Sequence, residues 1–339
     1  MKAAVFHGAK KLSVDEVQIK EPGRNEVQVQ IMACGVCGTD LHIYSGAEGA
    51  AMCTPPTILG HEFSGVVTKV GHGVTAFQPG DRVCIDPNDM CGACYYCKTG
   101  SAHFCENMIG IGTTTDGGFA EYCTVNQKQV YKMGDEMSFE EGAMAEPLSC
   151  CLHGIDLSGI KAGDTVMVIG GGTIGQIMLQ LARISGVSTL ILVEPVKEKR
   201  ELGLRLGADI AIDPLRENIS EALTKQFISH INVTIECVGL KSTMLDAVKY
   251  AGKGGTAMLF GLTDPDCQIP LAPFDLFKRE VSIKASFINP YTYSRAVSLL
   301  SSKKINVKDL ITDTLPLSDI ENVFTDSAYR RSGKIIIKP

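Results

Sequence analysis

The stretch that decides the fold is Val166-Met-Val-Ile-Gly-Gly-Gly-Thr-Ile-Gly175, an apolar run that leads into glycines. The apolar run predicts a buried strand over Thr165–Ile169. After the glycines, apolar residues from 174 to 184 recur on one helical face, which predicts an amphipathic helix. The sequence therefore predicts a strand, a glycine turn and a helix in succession.

Three of the glycines and one acidic residue give this turn a chemical meaning. Gly170, Gly172 and Gly175 fit the pattern G-x-G-x-x-G, and Glu194 ends the next apolar run, 19 residues beyond Gly175. The pattern is weak alone, but between a strand and a helix it is typical of a dinucleotide site. Gly170 permits the turn, Gly172 lets a pyrophosphate approach the helix N-terminus, and Gly175 allows close packing.

The acidic residue also bears on which dinucleotide binds. The Glu194 carboxylate can accept hydrogen bonds from a ribose hydroxyl but would repel a 2′-phosphate, which favours NAD over NADP. Lys199 and Arg200 lie close in sequence, and a basic pair could assist a phosphate. The sequence leaves that alternative open.

Outward from this stretch, the chain divides into three parts. From 161 to about 260, apolar strand runs alternate with helical segments, as in a parallel sheet covered on both faces. Before about 150, short runs such as Val27–Ile31 are separated by turn signals, which predicts a β-rich barrel or sandwich. The last part, 288–339, has a mixed pattern. The runs of the middle part are Thr189–Val193, Lys197–Leu206, Ala208–Ile212, Val233–Glu236 and Thr256–Phe260.

Composition limits the classes of function. The chain has 339 residues, 45% of them hydrophobic and 21% charged, which suits two globular domains. Its 38 acidic and 32 basic residues argue against nucleic acid and anionic membranes as partners. No run reaches a membrane span, and the start lacks the apolar core of a secretory signal, so we expect a cytoplasmic protein. Its 13 cysteines are then expected to be thiols or metal ligands.

Four of those cysteines stand close together, at Cys91, Cys94, Cys97 and Cys105. Four thiolates in such a short segment can enclose Zn²⁺ tetrahedrally and leave no open position, so the spacing predicts a structural zinc. Disulfides and idle thiols are less favoured in a cytoplasmic chain, and an iron–sulfur cluster is a further alternative.

A second set of candidate ligands is scattered: Cys37, His61, Glu62 and Glu146. Mixed sulfur, nitrogen and oxygen ligands with a replaceable water are typical of catalytic zinc. Each residue alone has a plain structural interpretation. Glu146 precedes Pro147, where we expect a helix to be interrupted.

Together these motifs resemble the medium-chain zinc-dependent alcohol dehydrogenase family, in its polyol (sorbitol-type) branch. The resemblance covers essentially the whole chain. It rests on the Cys91–Cys105 segment, the glycine turn and four short motifs: Cys-Gly-Thr-Asp-Leu-His (37–42), Gly-His-Glu (60–62), Pro-Gly-Asp-Arg-Val (79–83) and Glu-Pro-Leu (146–148). It implies an α/β protein with a GroES-like β-rich catalytic domain at 1–152, a Rossmann NAD-binding domain with a doubly wound parallel sheet at 153–287, and a return to the catalytic domain at 288–339.

The resemblance also implies residue roles. Catalytic zinc would lie on Cys37, His61 and either Glu62 or Glu146, because relatives exchange water with one of the two glutamates. As a Lewis acid, zinc lowers the cost of removing the proton from an alcohol hydroxyl. Thr39 and His42 occupy the positions of the family's proton relay. Residues matching segments that touch the nicotinamide half of the cofactor are Ile174, Phe260, Gly261, Leu262, Phe287, Ile288 and Asn289.

The expected substrate is a polyol or sugar alcohol, with or without a phosphate. Sorbitol-type relatives have arginine where this chain has Ile288, so a simple sorbitol specificity is not implied. Branches acting on 2,3-butanediol or threonine share the zinc motifs and remain alternatives. A zinc-free quinone reductase lacks the metal ligands, and a nucleotide-binding structural or sensing protein would not need Thr39 and His42. Relatives are dimers or tetramers, so we expect a homo-oligomer, with a tetramer favoured.

Overall fold

A computed structural model describes residues 1–47, 52–326, 329 and 333–339. The chain forms two compact units, one of Met1–Ser149 with Pro290–Pro339 and one of Cys150–Asn289. The sequence placed these boundaries at 152 and 287. None of the described helices is both long and apolar enough to cross a membrane.

Both units are built around β-sheets. They are β1 (Lys2–Gly8), β2 (Lys11–Glu16), β3 (Glu26–Gly35), β4 (Thr57–Ile58), β5 (Glu62–Val70), β6 (Arg82–Ile85), β7 (Asn88–Asp89), β8 (Ile109–Gly110), β9 (Tyr122–Asn126), β10 (Val130–Lys132), β11 (Thr165–Ile169), β12 (Thr189–Val193), β13 (Ile210–Ile212), β14 (Val233–Glu236), β15 (Thr256–Leu259), β16 (Ser282–Ala285), β17 (Ile311–Pro316) and β18 (Lys334–Lys338).

The helices range from 4 to 14 residues in length. They are α1 (Gly38–Ser45), α2 (Tyr95–Lys98), α3 (Phe139–Ala143), α4 (Ala145–Ser158), α5 (Thr173–Ile184), α6 (Lys197–Arg205), α7 (Ile219–Lys225), α8 (Lys241–Tyr250), α9 (Pro273–Arg279), α10 (Tyr293–Ser301) and α11 (Ile320–Thr325), with 3₁₀ turns at 102–104, 127–129, 308–310 and 317–319.

The first unit is organised around β3. In the sheet order β10-β6-β5-β3-β18-β17, strand β3 pairs with β5 and β18, and β9 also pairs with β3. Apolar side chains on β3 such as Val29 alternate inward and join a core with Phe63, Phe119 and Phe324. Because β18 comes from the end of the chain and lies beside β3, the final segment belongs to this unit.

The second unit is a parallel sheet with strand order β13-β12-β11-β14-β15-β16. Its central strands are continuous apolar runs such as Leu190–Val193, because a parallel sheet is buried on both faces. The order runs outward from β11 in both directions, and ligands of such sheets bind where the strands end at that switch point. The predicted fold class, a GroES-like β-rich domain with a Rossmann sheet, is confirmed.

Pro147 behaves differently from the expectation. It lies in the first turn of α4 and does not interrupt the helix. The first backbone N–H groups of a helix have no partner within it, so a proline there removes no hydrogen bond. Glu146 is therefore carried by the start of a helix.

Candidate active site

Three of the scattered ligands meet in the first unit. Candidate ligand atoms of Cys37, His61 and Glu62 all lie within 4.8 Å of one another. Cys37 is the N-cap of α1, and the turn at Gly60, with φ +94°, leads His61 and Glu62 into β5. A Cβ on Gly60 would lie 2.8 Å from the Phe119 ring, so glycine is required for this approach.

Asp40 supports two members of this group. Its side chain is fully buried, and its Oδ2 accepts a hydrogen bond from the Cys37 backbone N–H at 2.9 Å. Its Oδ1 lies 3.3 Å from His61 Nδ1. A histidine that binds metal through one ring nitrogen commonly directs the other at a carboxylate. Asp40 therefore leaves Nε2 of His61 available for an ion.

The same neighbours, Asp40 and Cys37, also determine the pKa of His61. Burial favours the neutral ring, but the charges of Asp40 and Cys37 outweigh it and raise the pKa of His61 well above its usual range. Neither Asp40 Oδ1 nor His61 Nδ1 makes a hydrogen bond, although both atoms are buried. A proton held on Nδ1 would relieve this arrangement.

Lys334, like Asp40, is a supporting residue that sequence reasoning missed. Its Nζ donates to both carboxylate oxygens of Glu62, at 2.8 and 2.6 Å, and to the Val36 carbonyl at 3.0 Å. The side chains of Lys334 and Glu62 are 7% and 1% exposed. Burial opposes the lysine charge, yet the facing Glu62 carboxylate raises the pKa of Lys334. The only sequence signal was a lysine at the start of an apolar strand, 272 residues from Glu62.

Glu146 is placed differently from the other glutamate. It is buried in the first turn of α4, and its charge contributes to the raised pKa of Lys334. Among the described residues, it is outside the group whose ligand atoms lie within 4.8 Å. Thr39 and His42 are both partly buried on α1, three positions apart, and so share one face of that helix.

The donor chemistry of this group fits a transition metal. One thiol, one imidazole and one carboxylate, with Asp40 behind the imidazole, match the mixed ligand sets that hold zinc with an open position. Within this group, the Glu62 carboxylate is already paired with Lys334 through both of its oxygens.

The four-cysteine segment forms a second cluster. Ligand atoms of Cys91, Cys94, Cys97 and Cys105 also lie within 4.8 Å of one another, with Cys91 and Cys97 sulfurs 3.9 Å apart. This segment lies between β6 and β9, around α2 and the small β7–β8 pair. A closed set of four sulfurs fits a structural zinc.

The thiols in this cluster titrate very differently. Backbone N–H groups of Ala93 and Cys94 point at the Cys91 sulfur and lower the pKa of Cys91 to about 6. Burial and the neighbouring Cys94 thiol raise the pKa of Cys97 to about 12. Four thiolates this close need a cation to remain ionised together, which is what zinc supplies.

In the second unit, the glycine turn is built as the sequence predicts. Gly170 follows β11 with φ +97°, and Gly172 is the N-cap of α5. A Cβ on Gly175 would lie 1.8 Å from the Gly170 carbonyl oxygen, so only glycine fits there. The arrangement leaves the N-terminus of α5 open to a pyrophosphate.

Glu194 follows β12, directly beside this turn. Its carboxylate is 6% exposed and accepts hydrogen bonds from the Gly171 N–H at 2.6 Å and the Val196 N–H at 2.8 Å. Arg200 donates to the Glu194 backbone carbonyl and pairs with Asp213, while Lys199 is partly buried on α6. The carboxylate is therefore held in place beside the glycine turn.

The other predicted cofactor residues also follow strand ends. Gly261 packs closely against Glu236 and Gly239. A Cβ on Gly261 would lie 2.6 Å from Glu236 Oε2. Ile288 has φ +44°, an unusual conformation for a β-branched residue. The remaining positions are Ile174 in the first turn of α5, Phe260 and Leu262 after β15, and Phe287 and Asn289 after β16.

Two family models match the chain. The alcohol dehydrogenase GroES-like domain matches residues 23–135, and the zinc-binding dehydrogenase model matches residues 173–302. The first match contains the four-cysteine cluster together with His61 and Glu62, and the second begins at the start of α5.

Known proteins resemble the chain over nearly its whole length. Sorbitol dehydrogenase of Ovis aries is 34% identical over 338 residues, covering 98% of this chain and 95% of that protein. A zinc-binding dehydrogenase of Sinorhizobium meliloti 1021 bound to NADP has a TM-score of 0.95 and 38% identity, covering 100% of this chain and 99% of that one. An alcohol dehydrogenase of E. coli CFT073 complexed with NADH has a TM-score of 0.92 and 28% identity, with 100% and 99% covered. The chain thus belongs to the medium-chain zinc-dependent alcohol dehydrogenase family, whose members are zinc-binding, NAD(P)-dependent enzymes.

Proposed function

We propose that this protein transfers hydride between a secondary alcohol of a polyol or sugar alcohol and NAD, with zinc at Cys37, His61 and a glutamate. The observation that carries the proposal is the group of a partly buried thiol, a buried imidazole and a buried carboxylate, supported by Asp40 and Lys334. When bound there, zinc supplies Lewis acidity that makes an alcohol hydroxyl easier to deprotonate.

The chain's own residues then have separate roles. Thr39 accepts the hydroxyl proton and His42, on the same face of α1, receives it further along. Asp40 keeps the proton of His61 on Nδ1. Lys334 compensates the charge of Glu62 and competes for both of its oxygens, so it limits how strongly this glutamate binds an ion.

The second zinc is proposed to be structural. The four cysteines from Cys91 to Cys105 offer a closed ligand set in a segment with little apolar material of its own. Cys91 is exposed and the other three thiols are only partly buried, so hydrophobic burial supplies little of the energy that orders them. The metal would supply that energy instead.

NAD is the proposed cofactor because of Glu194. A carboxylate fixed by two backbone N–H groups can accept hydrogen bonds from a ribose and repels a 2′-phosphate. The solved relatives hold NADH in one case and NADP in the other, so the choice has to come from this chain's own residues. We also expect a homo-oligomer, with a tetramer favoured.

The substrate proposal rests on sequence similarity to the sorbitol dehydrogenase of Ovis aries and on Ile288. Because Ile288 is apolar where sorbitol-type relatives have arginine, we expect a polyol or sugar alcohol other than sorbitol to be preferred. A vicinal diol and threonine are the competing substrates.

A cofactor-reduction assay on an alcohol panel tests this function. Sorbitol, other polyols, their phosphates, 2,3-butanediol and threonine are each supplied with NAD or NADP, and absorbance of the reduced cofactor is followed. Metal analysis should find about two zincs per chain if both clusters fill. A protein with both zincs and no turnover on any alcohol would contradict the proposal, and a clear NADP preference would contradict the role given to Glu194.

Substitutions at Thr39 test the proposed proton relay separately. Thr39→Val removes the proposed proton acceptor while keeping the shape of the side chain, and we expect a loss of about 10²-fold or more in kcat with unchanged zinc content. Thr39→Ser should retain most of the activity. Equal kcat values for the valine and serine variants would contradict the relay.

A further inference from the structure

We propose that Asp213 is a positioning residue for cofactor choice, because it engages the Arg200 guanidinium that would otherwise serve a 2′-phosphate. The inference rests on the proposed NAD-linked function and deepens it. It answers the question that the basic pair at Lys199 and Arg200 leaves open in the sequence.

The Arg200 side chain is committed on two sides. One terminal nitrogen donates to the Glu194 backbone carbonyl at 2.8 Å, and the other lies 3.0 Å from Asp213 Oδ2. The side chains of Arg200 and Asp213 are 16% and 11% exposed. Arg200 thus lies beside the acidic residue that marks the ribose position, yet it contacts that residue's backbone and not its carboxylate.

Asp213 is held independently of the arginine. It directly follows β13, its Oδ1 accepts the Leu215 backbone N–H at 3.1 Å, and its own N–H donates to Glu217 at 3.1 Å. Arg216 is 3.7 Å away but 86% exposed, so it is the weaker partner. The carboxylate is therefore a fixed acceptor to which Arg200 is drawn.

Charge and geometry then give the consequence. An arginine guanidinium binds phosphate through two parallel N–H bonds and is the side chain best suited to a 2′-phosphate. With Asp213 present, the charge of that guanidinium is compensated and one of its terminal nitrogens is engaged. Without the Asp213 charge, the Arg200 guanidinium, which already contacts the Glu194 backbone, can offset the repulsion of a phosphate by Glu194.

The chain contains a control at the other end of the same strand. Asp209 directly precedes β13, pairs with Arg183 at 2.6 Å and accepts the Leu190 N–H at 2.7 Å. Asp209 and Asp213 thus each combine an arginine with a backbone N–H, at opposite ends of a strand of three residues. Only Asp213 is at the carboxyl end, where parallel sheets bind ligands.

The experiment measures NAD⁺ and NADP⁺ binding by isothermal titration calorimetry, without any alcohol. Asp213→Asn keeps an acceptor for Leu215 but loses the charge, and we expect it to bind NADP⁺ roughly tenfold more tightly with little change for NAD⁺. Asp209→Asn should leave both affinities unchanged. Adding Arg200→Gln to Asp213→Asn should remove the gain.

A single variant covers the case in which Asp213→Asn does not fold. Arg200→Gln alone should leave NADP⁺ binding unchanged, since the arginine is already engaged. Weaker NADP⁺ binding by Arg200→Gln, no gain for folded Asp213→Asn, or a gain that survives in the double variant would each overturn the proposal. If the unaltered protein binds neither dinucleotide, the proposed function itself fails, which is a distinguishable outcome.

Discussion

The two metal clusters of this protein are built in opposite ways. The four cysteines of the structural cluster lie within 15 residues of sequence and are exposed or only partly buried. The catalytic-type cluster draws Cys37 from the start of α1, His61 from the turn before β5 and Glu62 from the start of β5, and Lys334 from β18 supports it. We expect the metal to hold the four cysteines of the first cluster together beyond the local backbone turn at Cys91. We expect β3 and β5 to order the second cluster before any metal binds.

The largest expected effect comes from a substitution in the catalytic-type cluster. Cys37→Ser should reduce turnover by at least about 10³-fold, because the Lewis acid contributes several kcal/mol to the transition state. Thermal stability should change little, since β3 and β5 set the local fold without the metal. The readouts are kcat and bound zinc, with Cys53→Ser, a partly buried cysteine of the same unit outside both clusters, as the control. Near-normal turnover in Cys37→Ser would show that this cluster is not the catalytic one.

The next effect tests how much the Lys334–Glu62 ion pair beside the catalytic-type cluster contributes to stability. Lys334→Met leaves Glu62 buried without its partner, and we expect a loss of about 3 kcal/mol in the free energy of unfolding. Lys338→Met, on the same strand, breaks an exposed pair with Glu140 and should cost less than about 1 kcal/mol. Denaturant unfolding compares them. Equal costs for both variants would mean that the Lys334–Glu62 pair does not contribute as a buried ion pair.

A smaller effect on stability is expected at the exposed cluster. Cys94→Ser removes one of four ligands and should lower the melting temperature by roughly 5–10 °C, with one zinc lost per chain. Treating the unaltered protein with a chelator should reproduce the shift. An unchanged melting temperature together with full zinc content would contradict the structural role.

The smallest effect concerns the reactivity of a single thiol. In chelator-treated protein, Cys91 should be alkylated by iodoacetamide down to about pH 6, because its thiolate is present above a pKa of about 6 and is lost as the pH falls through it. Cys84 and Cys123 are controls, since burial raises the pKa of both to about 12. Peptide mass spectrometry measures the modified fraction. Alkylation of Cys91 only above pH 8 would contradict the backbone stabilisation of its thiolate.

Prediction from sequence succeeded where a site is local. The glycine turn and the four cysteines each lie in one short segment, so their spacing alone indicates their geometry. It succeeded less well for contacts between distant segments. Glu146 is buried near the catalytic-type cluster but lies outside its group of ligand atoms, and Pro147 starts a helix where an interruption was expected.

By itself, the sequence indicated a β-rich domain, a parallel-sheet domain, the dinucleotide turn and the four clustered cysteines, because these depend on residue types at fixed spacing. The scattered ligands Cys37, His61 and Glu62 or Glu146 followed only from the resemblance to the family. Only the tertiary structure decided that Lys334 holds Glu62 and that Asp213 engages Arg200. Both are pairs of opposite charges with little exposure to solvent. Strands β18, β3 and β5 bring Lys334 to Glu62, and α6 brings Arg200 to the end of β13. Such contacts depend on which elements are neighbours in the fold, and spacing along the chain does not encode that.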